Sequence, residues 1–143
     1  MAAGDLSLIA GSSRSTGIAT ATVNNGAGVL SSEIDNSTIK ALYASLELLF
    51  TLASAAENGP WYVWVTYAQN GTNYENQAAL LKRPPDAIFT AAAGTSADKQ
   101  SAIGLRLAPF KFKLWLWNAT GQNSADSSVT LLCYTYGENV AQS

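Results

Sequence analysis

The chain has no histidine, one cysteine, and charged side chains at only 13% of its 143 positions. Without histidine it cannot build a Ser-His or Cys-His catalytic triad, and the commonest ligand sets for zinc and other soft metals are excluded. The ten acidic residues are scattered, mostly in or beside turns, and lack the spacing of a calcium loop. We therefore expect no catalytic residue, no metal and no cofactor. A carboxylate pair acting on a polysaccharide is the enzymatic alternative that this composition leaves open.

The lone cysteine and the weak net charge exclude further classes of protein and of binding partner. Cys133 lies in the apolar run from Val129 to Tyr136, where a cysteine usually packs as a small buried hydrophobic residue. The formal net charge of -2 provides no clustered basic surface for nucleic acid or an anionic membrane. Apolar runs stay short of the roughly 20 residues of a membrane span, and Asp5 stands where a secretory signal would carry positive charge. The sequence predicts a soluble protein made in a cytoplasm, with neither nucleic acid nor a membrane as a partner.

The clearest secondary-structure signal is a strict alternation between residues 110 and 117. Successive side chains of a strand point to opposite faces, so the segment presents two different surfaces. One face is apolar and suits a core: Phe110, Phe112, Leu114 and Leu116. The other begins polar and ends aromatic: Lys111, Lys113, Trp115 and Trp117. The second face is unusual, and we expect it to contact something outside the domain.

Other segments support an all-β fold. The period of two between Ala41 and Ala53 predicts a long half-buried strand and disfavours a helix. The aromatic and β-branched run Trp61–Tyr67 is typical of a central strand, and shorter strands are expected over 87–92, 101–107 and 128–136. With regular turn signals between them, this predicts one antiparallel β-sandwich domain of seven or eight strands over residues 31–143. Residues 1–30, rich in small side chains, are expected to form a flexible or partner-ordered arm. The alternative is a loosely held terminal strand, since Ile18 to Val23 alternate.

Nine tyrosines and tryptophans raise the possibility of a sugar site, because flat aromatic faces bind the apolar surfaces of sugar rings. Filling a core or a subunit interface is the alternative that the sequence favours. The residues concerned are Trp61, Tyr62, Trp64, Tyr67, Tyr74, Trp115, Trp117, Tyr134 and Tyr136.

Three segments, taken in order, resemble a family of small virion proteins of tailed bacteriophages. They are Ala41–Leu48, Trp61–Tyr67 with the following Gly71–Glu75, and Ala108–Leu114 with Asn118–Gln122. The likeness extends from about Ala41 to Tyr136. Members of that family look like single jelly-roll domains attached to the outside of the phage head, so the resemblance implies a jelly-roll type of sandwich.

The resemblance also implies a structural, non-enzymatic function. The chain would be a decoration or cement protein on the capsid surface of a virion, made in the host cytoplasm and bound to the major capsid protein as a homo-oligomer, with a trimer favoured. Trp115 and Trp117 are then the expected contact between protomers, and Lys111, Lys113 and Tyr74 are further candidate interface residues. The alternative is a phage tail or adhesin module that binds a host surface glycan.

Overall fold

The computed structural model describes residues 6–10, 15–38, 40–55, 59–90 and 95–140, with side chains described for all of these except 6–10 and 138–140. These residues form ten β-strands and one short α-helix. The first five strands are β1 (Leu6–Ala10), β2 (Ser15–Ala21), β3 (Gly28–Leu30), β4 (Ile34–Asp35) and β5 (Tyr43–Phe50). The later elements are β6 (Pro60–Tyr67), α1 (Gln77–Leu80), β7 (Ala87–Thr90), β8 (Asp98–Arg106), β9 (Lys111–Asn118) and β10 (Val129–Val140). Across these ranges, no helix is long and apolar enough to cross a membrane.

The strands form two antiparallel sheets. Sheet A has the order β1-β10-β5-β8, and β2 also pairs with β10. Sheet B has the order β3-β9-β6-β7, and β4 also pairs with β9. In each sheet, two short strands follow one another along the edge of one long strand, because β10 and β9 are each long enough to pair with both. The predicted all-β sandwich of jelly-roll type is confirmed.

The core lies between the sheets and comes from the faces that alternate inward. In β5 every second residue is buried, namely Ala44, Leu46, Leu48 and Phe50, which confirms the predicted strand. Sheet B contributes Trp61, Val63, Phe112, Leu114 and Leu116 to the same cluster. Cys133 is buried among these residues, and its burial raises the pKa of the thiol to about 12. Burying a side chain the size of leucine is worth about 1.5–3 kcal/mol, so this layer is the main source of stability.

Two expectations about the secondary-structure elements need correction, the number of strands and the absence of a helix. The described residues form ten strands rather than seven or eight, because β3 and β4 are too short to show a period of two. The four-residue helix α1 was also not expected. Its N-cap is Asn76, whose side chain accepts a hydrogen bond from the Ala78 amide, and a single turn of helix leaves no periodic pattern in the sequence.

The expected boundary at residue 30 does not separate an arm from the sandwich. In β2, Ile18 is buried and pairs with Leu131 of β10, while β3 pairs with β9. Residues 15–30 are therefore part of both sheets. Their small side chains bury little area, but main-chain pairing with two long strands holds them in place. Residues 1–5 and 11–14 of the expected arm lie outside the described residues.

Candidate functional site

The outer face of sheet B carries four of the five residues that the sequence proposed for an interface, and the fifth, Tyr74, lies in the loop after β6 with its ring against Lys113. Side chains of β9 alternate, so Phe112, Leu114 and Leu116 enter the core. Trp115 and Trp117 belong instead to a separate cluster with Trp64, Leu80 and the partly buried Leu30 and Tyr62. The predicted assignment of the two faces is therefore correct for residues 111–117, whereas Phe110 lies before β9, is partly buried and does not belong to the core cluster.

Four aromatic rings form a continuous series on this outer face. The ring centroids lie 5.8 Å apart from Tyr62 to Trp64, 5.3 Å from Trp64 to Trp115, and 5.4 Å from Trp115 to Trp117. All three pairs are tilted, a geometry that aromatic quadrupoles favour over a face-to-face sandwich. The register explains the series, because Trp64 lies opposite Trp115 and Tyr62 lies opposite Trp117 in the β6–β9 pairing.

Two of the four rings are covered and two remain partly open. Trp64 and Trp115 are 3% and 2% exposed, since Leu80 of α1 packs against them. The Trp64 indole nitrogen donates a hydrogen bond to the Arg83 carbonyl oxygen at 3.0 Å, whereas the Trp115 indole nitrogen is buried and has no hydrogen-bond partner among the described residues. Trp115 thus supports this surface from beneath. Whether Trp117 contacts another protomer stays a prediction.

The open part of the face is one row across four strands, which we call the aromatic row: Ile88, Tyr62, Trp117 and Gly28. Ile88 is 57% exposed, Tyr62 and Trp117 are partly exposed, and the row contains no charged side chain. Gly28 ends the row without a side chain. A Cβ at this position would lie 2.6 Å from the Trp115 indole nitrogen, so a larger residue would not fit. The row is an uncharged, rigidly supported strip on the protein surface.

At the other end of the same face, Tyr74 lies in a network of charged groups. Its hydroxyl donates a 2.5 Å hydrogen bond to Glu33, and the Lys113 ammonium lies 4.8 Å from its ring centroid. Glu33 also pairs with Lys111 at 3.5 Å. The hydrogen bond from Tyr74 is the largest cause of the lowered pKa of Glu33, while burial followed by this hydrogen bond raises the pKa of Tyr74. The structure therefore brings together three of the sequence-proposed residues, Tyr74, Lys111 and Lys113.

Beside Tyr74 lies an open depression of about 450 Å³, which we call the loop depression. It is lined by Tyr67, Gln69, Asn70, Asn73, Tyr74 and Glu75. Asn70 shapes the loop, because its side-chain oxygen accepts hydrogen bonds from the amides of Thr72 and Asn73 at 3.0 and 2.9 Å. The Glu75 amide donates to the Thr66 hydroxyl at 3.0 Å, which holds the returning end of the loop against β6.

A smaller depression of about 310 Å³ lies on the outer face of sheet A, lined by Ser45, Glu47, Leu132 and Tyr134. Lys99 pairs with Glu47 at 3.5 Å. Across the ranges for which side chains are described, no group of three or more His, Cys, Asp or Glu residues is placed to hold a metal ion.

Sequence reasoning missed most of these surfaces. Tyr62 was weighed only as one member of a large aromatic set, and Ile88, Gln69 and Asn73 were not considered. For Tyr62, the available signal was its alternation with Trp61 and Val63, but the whole run is aromatic or β-branched, so alternation alone does not show which side faces out.

A scan against protein-family models finds none that matches the chain, and no curated protein matches it either. Among solved structures, the chain is similar to the CBM36-1 domain of a multidomain xylanase from the hindgut metagenome of Trinervitermes trinervoides. The identity is 10%, the match covers 91% of this chain and 96% of that domain, and the TM-score is 0.50. The likeness is one of fold.

A second solved structure, TmCBM61 in complex with β-1,4-galactotriose, matches at 6% identity with a TM-score of 0.32. That match covers 84% of this chain and 68% of the other, and a TM-score this low carries no argument about this chain. The expected capsid decoration receives no support from the comparisons.

Proposed function

We propose that the chain is a carbohydrate-binding domain whose aromatic row stacks against the apolar faces of sugar rings. The fold is similar to that of a CBM, or carbohydrate-binding module, attached to a xylanase. That similarity concerns architecture, and the proposal therefore depends on the row itself. The sequence predicted capsid decoration, with a module that binds glycan as the alternative. These observations support the alternative better.

The observation that carries the proposal is the pair formed by Tyr62 and Trp117. The two rings lie opposite one another in register and are partly exposed on an uncharged strip. Sugar rings offer C–H faces to flat aromatic surfaces and hydroxyls to polar tips, and Tyr62 supplies both a ring and a hydroxyl. The buried pair Trp64 and Trp115 fixes the two outer rings, which reduces the entropy lost when a ligand binds.

The proposal assigns binding and no catalytic step, and the expectation that the chain is not an enzyme stays a prediction. Bacteriophage origin, location on a virion and a trimeric state likewise stay predictions.

The test is retention on immobilised polysaccharides, measured with the whole chain and with variants. We expect Trp117→Ala to weaken retention at least tenfold, since losing an aromatic contact face removes roughly 1.5–3 kcal/mol. Trp117→Phe keeps a ring and should retain most of the binding. Tyr134→Ala, which removes a tyrosine from the outer face of sheet A, is the matched control and should bind like the parent.

Thermal unfolding of each variant separates a lost contact from a lost fold. If Trp117→Ala remains folded and retains full binding, or if the parent chain binds no carbohydrate on a broad glycan array, the proposal is wrong.

A further inference from the structure

We propose that the loop depression is a second glycan site, which recognises an uncharged sugar unit through hydrogen bonds. The inference rests on the proposed carbohydrate-binding function and adds a site and a ligand class to it. The aromatic row provides stacking, whereas the depression is lined mainly by amides and hydroxyls.

The lining is chemically suited to hydroxyl groups. A carboxamide offers two donor hydrogens and an acceptor oxygen, and a sugar hydroxyl both donates and accepts. Within the described part of the chain, the side-chain amides of Gln69 and Asn73 have no hydrogen-bond partner, and Asn70 uses only its oxygen. Donors and acceptors of the described lining are thus free to bind a ligand.

The aromatic wall of the depression is held in place before a ligand arrives. The Tyr74 hydroxyl is bound to Glu33, and its ring is in contact with the Lys113 ammonium. These groups come from three segments of the chain, so the ring cannot reorient without breaking contacts on more than one side. A preorganised side chain loses less conformational freedom on binding.

The charges around the depression favour a neutral ligand. Glu75 is the one charged residue in the described lining, and Arg83 binds its Oε1 atom at 3.0 Å. Lys111 is paired with Glu33, and Lys113 lies over the Tyr74 ring. The nearby cations are already engaged, and a ligand carboxylate placed in the depression would meet the Glu75 carboxylate. An acidic sugar is therefore disfavoured relative to a neutral one.

The loop depression adjoins the outer face of sheet B through Tyr74, whose ring lies against Lys113 of β9. Lys113 and Trp117 are four residues apart in β9, which places their Cα atoms roughly 14 Å apart at the usual rise of a strand. A polysaccharide that reached both sites would gain affinity through effective concentration. Longer chains should therefore bind more tightly than short ones.

The experiment is an array printed with neutral and uronic-acid-containing oligosaccharides, probed with the labelled whole chain and with single-residue variants. We expect Gln69→Ala and Asn73→Ala each to weaken binding to neutral glycans about three- to tenfold, the effect of one lost hydrogen bond. Asn24→Ala removes an exposed amide elsewhere on the surface and should bind like the parent. Raising the salt concentration tenfold should change the affinity for the neutral glycans that bind by no more than about twofold.

The outcomes separate this inference from the proposed function. If neutral glycans bind, and Trp117→Ala weakens them but Gln69→Ala and Asn73→Ala do not, the second site is wrong and the aromatic row stands. A parent chain that binds only acidic glycans also overturns the second site. A parent chain that binds no glycan overturns both proposals.

Discussion

Truncating the buried side chain of Asn118, at the end of β9, is expected to destabilise the fold. Its amide nitrogen donates to the carbonyl oxygens of Val23 and Gln122 at 2.9 and 2.8 Å. Its oxygen accepts from the amide and the hydroxyl of Thr120 at 3.0 and 2.7 Å. Asn118 and Thr120 are fully buried, so solvent does not replace these bonds freely.

Asn118→Ala would leave one buried group without a partner, the Thr120 amide, because the Val23 carbonyl keeps its bond from the Ser124 amide at 3.1 Å. The Gln122 carbonyl keeps its bond from the Thr120 hydroxyl at 3.0 Å. An unsatisfied buried group costs about 1–3 kcal/mol, and a water molecule entering the space recovers part of that. We expect a loss of about 2 kcal/mol, which corresponds to a fall of roughly 7 °C in Tm for a chain of this length.

Urea unfolding followed by tryptophan fluorescence measures this loss, because all four tryptophans lie in β6 and β9 of sheet B. Asn123→Ala is the matched control: its side-chain oxygen accepts one exposed hydrogen bond, from the Asn25 amide at 2.9 Å. The control should cost less than about 1 kcal/mol. The reasoning is refuted if both variants unfold at the same urea concentration, or if Asn118→Ala falls within about 1 kcal/mol of the parent chain.

Three further predictions follow from individual side chains. Trp64→Phe should destabilise the fold by about 1 kcal/mol more than Trp115→Phe, because only the first removes a hydrogen bond; urea unfolding of both variants checks this. Tyr74→Phe should raise the pKa of Glu33 toward its ordinary value, and a carboxyl NMR titration that shows no change would contradict it. Because the folded-state pKa of Glu33 is lowered, its stabilising effect is present above the unfolded-state pKa and is lost as the pH falls through the folded-state pKa. Cys133 should resist a thiol reagent at pH 8 until denaturant is added, since its pKa is about 12; rapid labelling of the native chain would exclude this.

The fold could be predicted where one face of a strand is buried and the other is not. The alternation in β5 and β9 carries that information within a few adjacent residues, and both strands were found with the correct faces. The strands β3 and β4 exist because β9 offers them a main-chain partner, and two or three residues cannot reveal a partner some eighty positions away.

Only the residues that β9 contributes to the candidate site could be predicted from the sequence. Lys111, Lys113, Trp115 and Trp117 share a face for local reasons, and the structure confirms that placement. The burial of Trp115 depends on how the segment after β6 folds back and places Leu80 over it, which no local pattern encodes. The link between Tyr74 and Glu33 joins residues 41 positions apart, and it too required the tertiary structure.

The pairing of β1 and β2 with β10 has a consequence for biosynthesis. Leu6 pairs with Val140 and Ile18 with Leu131, so the first two strands wait for a partner that the ribosome delivers more than a hundred residues later. Sheet A therefore closes only after most of the polypeptide has emerged, and such non-local pairing is associated with slow folding. Until then the unpaired edge of β5 is open to other nascent chains, which makes this interval the one in which a chaperone would be most useful.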